Sequence, residues 1–365
     1  MGPYFFTFGL ASIFLLNPIK LSKFLENFLW IAVIIYGTLF IGLREEVGGD
    51  WLNYLNSYDK LSALPFKSWF DISRLDPGYL LIVLISSLFD GGIILVNLIC
   101  GLIVMTSLVF FAKKQPLPWV TIVAAIPFFI IGINMGTVRQ GLALSVILVA
   151  LTYLEKNTFR YLLWVTIAIL FHKSAVLMLG LVFFKIRNFV ALALLLLATA
   201  LIAFIFSKLE SVEILLLAYL IEPDYQSDGA LIRVIVSILP FLGFLIYFKK
   251  MQKNYDDSWI YFFIGLGAFA LLLLSSSLST LVDRVAYYTI PLQLALWPRI
   301  IAVQSEPLMR SYFTISFILG YLLMLYVWLA YANHSFAWVP YNIFWPGENE
   351  TTPNSLCLEY LSGYC

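Results

Sequence analysis

Arg139 and Gln140, in Asn134-Met135-Gly136-Thr137-Val138-Arg139-Gln140, stand at the junction of two strongly apolar segments. An arginine at a bilayer mid-plane costs about 2.5–3.5 kcal/mol on insertion scales, so one at the mouth of a span must reach water, an anion or a carboxylate. It either snorkels to the membrane boundary or holds an anion. Arg44 and Arg284 also flank apolar runs, and all three offer planar donor forks that suit phosphate and stay charged at any working pH. His172, one of two histidines, ends an apolar run in Leu170-Phe171-His172-Lys173-Ser174. An imidazole with an ordinary pKa of about 6.5 is suited to take a proton at neutral pH, although a lone histidine is also a common structural hydrogen-bonding group. The other, His334, reads as a surface residue.

Two carboxylates are candidates beside it. Asp50 follows Gly48-Gly49, read as a flexible hinge that lets an acid approach a sugar, and Trp51 and Tyr54 add rings of the kind that pack on sugar faces. A turn carboxylate with boundary aromatics is the plainer alternative. Asp76 opens Asp76-Pro77-Gly78-Tyr79, which reads first as a turn starting a helix. Asp283-Arg284 reads as an ion pair closing a helix end or as direct substrate contacts, with Tyr287 and Tyr288 next to it.

The elements that must position these residues are membrane helices. The chain of 365 residues is 62% hydrophobic and 12% charged, with a mean hydropathy of +0.93, whereas soluble domains carry about 25% charged residues. Runs such as 192–206 and 259–274 are too long for core strands and lack the alternation of a barrel. The expected fold is therefore all-α, a polytopic integral membrane protein of about twelve spans in a single transmembrane domain. The spans fall at about 4–17, 28–43, 93–112, 118–133, 137–154, 159–171, 174–184, 188–206, 231–248, 258–275, 285–301 and 311–331. The first is read as a retained span, since no basic region precedes it and no cleavage site follows. A re-entrant or interfacial helix is expected at 78–89, because about twelve apolar residues are too few for a crossing. The short pair flanking His172 reads as broken or tilted helices lining a cavity.

The compact basic pairs Lys113-Lys114, Lys185/Arg187 and Lys249-Lys250 assign one side as cytoplasmic. The loops at 44–77 and 207–230 and the aromatic tail 332–365 then lie outside, the tail as an interfacial cap. On that side gather Arg44, Asp50, Asp76, Asn134, Arg139, Gln140, His172, Lys173, Asp283, Arg284, Tyr287 and Tyr288. A one-sided cluster of both charges beside short helices is the pattern of a site at the membrane boundary. Cys357 and Cys365 form a disulfide or remain free thiols; Cys100 lies within a span.

A net charge of +1 and the lack of a basic, aromatic-interleaved stretch argue against nucleic acid. No phosphate-binding loop, Gly-x-Ser-x-Gly elbow or zinc-spaced cluster is present, so no nucleotide site and no metal or other cofactor is expected. Chemistry without a soluble domain must act on a substrate that reaches the membrane surface, which points to a lipid-linked one.

Gly42-Leu43-Arg44, Val47-Gly48-Gly49-Asp50-Trp51 with Tyr54, Asp76-Pro77-Gly78-Tyr79, Asn134 with Val138-Arg139-Gln140-Gly141-Leu142-Ala143, and Phe171-His172-Lys173-Ser174-Ala175 occur in that order. Together they resemble the EpsG family of bacterial exopolysaccharide and O-antigen polymerases, the Wzy-type proteins. The resemblance is densest over 40–180. Gly49 stands where the family commonly has Thr, and Asp76 where Glu is usual.

The resemblance implies a GT-C-like arrangement in the bacterial inner membrane with a periplasmic active site. There a growing glycan on undecaprenyl pyrophosphate is transferred to the non-reducing end of the next lipid-linked repeat unit. The partners implied are that lipid-linked oligosaccharide, membrane lipid and a chain-length regulator. On this reading Arg139, helped by Arg284 and Arg44, holds the pyrophosphate, Trp51 and Tyr54 offer rings to the sugar, and Gln140, Asn134, Lys173, Asp283 and Tyr287 are further substrate-binding residues. His172 or Asp50 deprotonates the acceptor hydroxyl, with Asp76 a further acid. A flippase would instead line both halves of a path with polar residues and often carry internal repeats, and neither is seen. A ligase or membrane acyltransferase working at the same lipid face is the other alternative.

Overall fold

The computed structural model describes residues 1–16, 22–69, 75–185, 229–275 and 279–345. The expected span 188–206, nearly all of the loop 207–230, and Cys357 and Cys365 lie outside the described residues. The described chain is an all-α membrane protein. Its helices are α1 (Gly2–Leu16), α2 (Lys23–Gly42), α3 (Trp51–Ser62), α4 (Pro77–Leu88), α5 (Gly92–Ala112) and α6 (Pro118–Ala125), which continues as a π-helix over Ile126–Asn134. Then come α7 (Val138–Leu154), α8 (Thr158–Phe171), a 3-10 turn at Lys173–Leu179, and α9 (Gly180–Phe183). The later part holds α10 (Ala230–Ile246), α11 (Phe248–Asn254), α12 (Ser258–Leu274), α13 (Ser279–Ala286), α14 (Ile290–Ala302) and α15 (Pro307–Tyr331). Strands β1 (Arg44–Glu45) and β2 (Asn342–Ile343) pair antiparallel.

The count of twelve spans is corrected. Among the described residues three helices, α2, α5 and α15, are long and apolar enough to cross a membrane, or four if α10 and α11, bent by 84°, act as one. Among the described residues the apolar runs are helical where the sequence puts them, but several are too short or are interrupted. The run 118–134 changes from α to π geometry at Ile126, next to Pro127, and α8 has only 14 residues, about 21 Å at 1.5 Å per residue against a core of about 30 Å. Periodicity records which residues are apolar, not where the helix breaks.

The layers follow from burial. α2 and α15 turn Phe24, Phe28, Ile31, Leu308, Leu319 and Leu323 outward, as helices solvated by lipid do. α7 is buried on nearly every side between α5 and α8, so its N-terminal turn, Val138-Arg139-Gln140, is held at one end of the bundle. At the opposite end Arg299 is locked by a fork to Asp257 (2.7 and 2.8 Å), by Gln115 Oε1 (3.1 Å) and by the rings of Tyr255 and Tyr261. This fully engaged cluster staples α12 to α14.

Residues 332–345 fold back over the end that carries Arg139. Gly48 N–H donates to Ala337 O (2.7 Å) and Phe344 N–H to Leu43 O (2.7 Å). Tyr4 Oη donates to Trp338 O (2.6 Å) and Tyr341 Oη to Phe40 O (2.6 Å). The Gly48-Gly49 pair is therefore a place of close approach and not a flexible hinge. Gly48 has φ +113°, and a Cβ there would lie 1.9 Å from the Met135 carbonyl oxygen. Gly48→Ala combines a strained φ, about 1–3 kcal/mol, with a backbone clash that no side chain can relieve. We expect its thermal unfolding temperature in detergent to fall markedly, whereas Ala at Gly92, which has positive φ but open space, should cost only the φ strain.

Candidate active site

Four chain segments meet at this end: the Val47–Asp50 turn with α3, the start of α4, the start of α7, and the His172 junction with α13 behind it. Arg139 Nη1 donates to Asp76 Oδ2 at 2.9 Å, with side chains 29% and 13% exposed, so the pair lies at a water-accessible rim. Arg139 backbone N–H points to Tyr54 Oη (3.4 Å), while its Nε is buried without a partner among the described residues. The first turn of α7 adds the positive end of a helix dipole. Asp76 is the N-cap residue of α4. Its Oδ2 orients Arg139, with Lys173 beside it.

Arg284 differs from Arg139. Its backbone carbonyl accepts from Gln140 Nε2 (2.6 Å), which ties α13 to α7, but among the described residues its guanidinium has no ion-pair partner. It lies in the field of Asp50 and His172. Asp50, half-buried before α3, has its pKa raised by burial, opposed by Arg284 and then Arg139. A carboxylate so placed is desolvated and basic, yet has two cations in reach.

His172 caps the C-terminus of α8 in an extended conformation. Its Nδ1 lies 2.6 Å from Ser174 Oγ and accepts the Ser174 backbone N–H (3.3 Å). Ser174 Oγ in turn meets Tyr288 Oη (2.8 Å) and Gln140 Nε2 (3.5 Å). An amide N–H can only donate, so Nδ1 is an acceptor and the proton of the neutral ring sits on Nε2. Burial, then Arg139, Arg284 and Lys173, lower its pKa to about 3. The expectation of an ordinary imidazole of about 6.5 is corrected: the ring is a neutral Nε2–H donor.

Other sequence candidates fall elsewhere. Arg44 is 2% exposed and spends its donors on Val47 O (3.1 Å), Ile41 O and Asn97 Oδ1 (3.1 Å); it organises the core beneath the site and does not reach it. Trp51 is buried with its ring near that guanidinium, 5.7 Å away, and is no sugar platform. Asn134 is buried, bonded to Phe129 O (2.7 Å), and packs so tightly on Gly141 that a Cβ there would lie 2.3 Å from its Oδ1. Asp283 pairs with Arg233 of α10, not with Arg284, and the same guanidinium lies 5.2 Å over Tyr287. Those two residues brace α13 from behind. His334 is exposed.

Sequence reasoning missed Arg233, Ser174 and Trp338. Arg233 interrupts an apolar run and was detectable on that ground; Ser174 stood inside a quoted motif; Trp338 had no signal beyond an aromatic-rich tail.

Fold and site together define an all-α membrane protein with a cationic, carboxylate-bearing site where its helices break at one end of the bundle. The chain belongs to the EpsG family, whose model matches residues 27–343, a family of Wzy-like polysaccharide polymerases. No curated protein and no solved structure matches the chain.

Proposed function

We propose that the protein is a Wzy-type glycosyltransferase that joins undecaprenyl-pyrophosphate-linked oligosaccharide repeat units into O-antigen or exopolysaccharide. On this reading it acts in the bacterial inner membrane, with the site-bearing end facing the periplasm. The observation that carries the proposal is the pairing of Arg284, whose guanidinium has no ion-pair partner among the described residues, with a second arginine at a helix N-terminus, both near a desolvated carboxylate. That is the donor set a departing diphosphate needs as charge develops.

In the step proposed, the acceptor sugar hydroxyl attacks the anomeric carbon of the donor glycan as its proton passes to Asp50. The C1–O bond to the lipid pyrophosphate breaks, and Arg139 and Arg284 take up the negative charge. His172 Nε2–H donates to a substrate oxygen and removes no proton. Tyr54 and Tyr288 border the same space, and Lys173 supplies a further cation.

Reconstituted protein given only purified undecaprenyl-pyrophosphate-linked repeat units should produce a ladder of lengthening glycans. A flippase would move the substrate without lengthening it, and a ligase would need a second acceptor. Unchanged single-repeat glycan would reject the polymerase reading.

A further inference from the structure

Asp50 and Arg139 belong to separate turns, and no direct hydrogen bond joins their side chains. Their separation is therefore set by whatever lies between the two backbones. Part of the spacing comes from contact of Gly48 with the Met135 carbonyl, where no Cβ fits. One side chain from the far end of the chain also enters this space. The Trp338 ring passes between Gly136, where a Cβ would lie 2.9 Å from its Cζ2, and Gly49, where a Cβ would lie 3.6 Å from its Cη2. Gly49 immediately precedes Asp50, and Gly136 stands three residues before Arg139.

Both the indole and the backbone of Trp338 are anchored. Its Nε1–H donates to Ile131 O (2.9 Å) in the π-helix, across 207 residues of sequence. The Trp338 backbone carbonyl accepts from Tyr4 Oη, and Ala337 O just before it accepts from Gly48 N–H. The Trp328 ring lies 5.3 Å away. Trp338 is only 8% exposed, so it works as a wedge and cannot itself meet a bound glycan.

We propose that Trp338 is a positioning residue that sets the gap between Asp50 and Arg139, and that the glycines at 49 and 136 make room for it. Displacing reacting groups by about 1 Å is enough to cost about a hundredfold in rate. The effect on turnover rests on the polymerase reading; the effect on the two turns does not.

The test uses the full chain in detergent or nanodiscs. Trp338→Ala should lower kcat for ladder formation by about ten- to a hundredfold with little change in KM. It should also speed amide hydrogen exchange at 48–54 and 135–139 while leaving Gly92–Ala112 as slow as before. Trp338→Phe keeps a ring but loses the N–H bond to Ile131, and should recover part of both, with exchange at 48–54 still faster than in the wild type. Tyr341→Phe, which loses the bond to Phe40 on the same strap but away from the two turns, should leave kcat unchanged.

If Trp338→Ala does not fold, the comparison of Trp338→Phe with Tyr341→Phe decides, since only the former should alter exchange at 48–54. Wild-type exchange and turnover in the folded Trp338 variants, or equal losses in Tyr341→Phe, would overturn the proposal. Faster exchange in a protein whose wild type forms no ladder would sustain the wedge and reject the polymerase reading instead.

Discussion

Arg139→Ala is expected to leave single-repeat glycan in place of long chains and to destabilise the protein at the same time. The first effect follows from removing a preorganised donor at the point where diphosphate charge develops, about 10²–10³-fold in rate for one such group. The second follows from Asp76, which would keep a largely shielded carboxylate after losing the guanidinium at 2.9 Å. Stranding one partner of a shielded pair costs more than the pair was worth, on the order of 1–3 kcal/mol for a site still partly open to water.

Arg284→Ala separates the two contributions. Its guanidinium has no ion-pair partner among the described residues, so elongation should fall by a similar factor with the melting temperature unchanged. Arg139→Lys retains a charge but not the fork, and should restore stability more fully than turnover. Ladder assays and thermal unfolding on the same preparations check all three. Normal polymerisation by both alanine variants would remove the diphosphate assignment.

Asp50→Asn should cost about 10²–10⁴-fold in elongation, the range for losing a positioned base, with a smaller effect on KM. The pH profile carries the sharper test. A carboxylate base works deprotonated, so activity falls as pH drops through its pKa. Burial raises that pKa above the ordinary 3.8, so the acid limb should begin at higher pH than for an exposed aspartate. His172, held to about 3 by burial and three cations, stays neutral throughout and contributes no inflection near 6.5. His172→Gln, which keeps a donor, should lower the rate by a smaller factor and leave the shape of the profile intact. A limb near 6.5 that disappears in His172→Gln would make the imidazole the base and Asp50 an accessory.

The Asp50 assignment also shows where a motif stops being informative. His172-Lys173-Ser174 marks a polar island after an apolar run, and on residue type alone the histidine is the better base. On the proposed mechanism the order is reversed by a backbone N–H from Ser174 to Nδ1, a consequence of the 3-10 turn that starts at Lys173. Local geometry then makes the ring a donor in that step without changing any residue.

By itself the sequence determined that the protein is helical and lives in a membrane, since a chain this apolar can satisfy its backbone in lipid only by internal hydrogen bonds. It also marked the small pool of polar residues from which a site had to be drawn, because each ionisable group next to an apolar run needs a reason to be there. Only the tertiary structure decided which of them face one another. Arg139 finds Asp76 63 positions away, Arg44 spends itself on Asn97 53 positions away, and Asp283 turns from its neighbour Arg284 to Arg233. Adjacent residues on a helix point apart by about 100°, so neighbours in the chain seldom pair, and the choice of partner passes to the packing and to the turns where helices break.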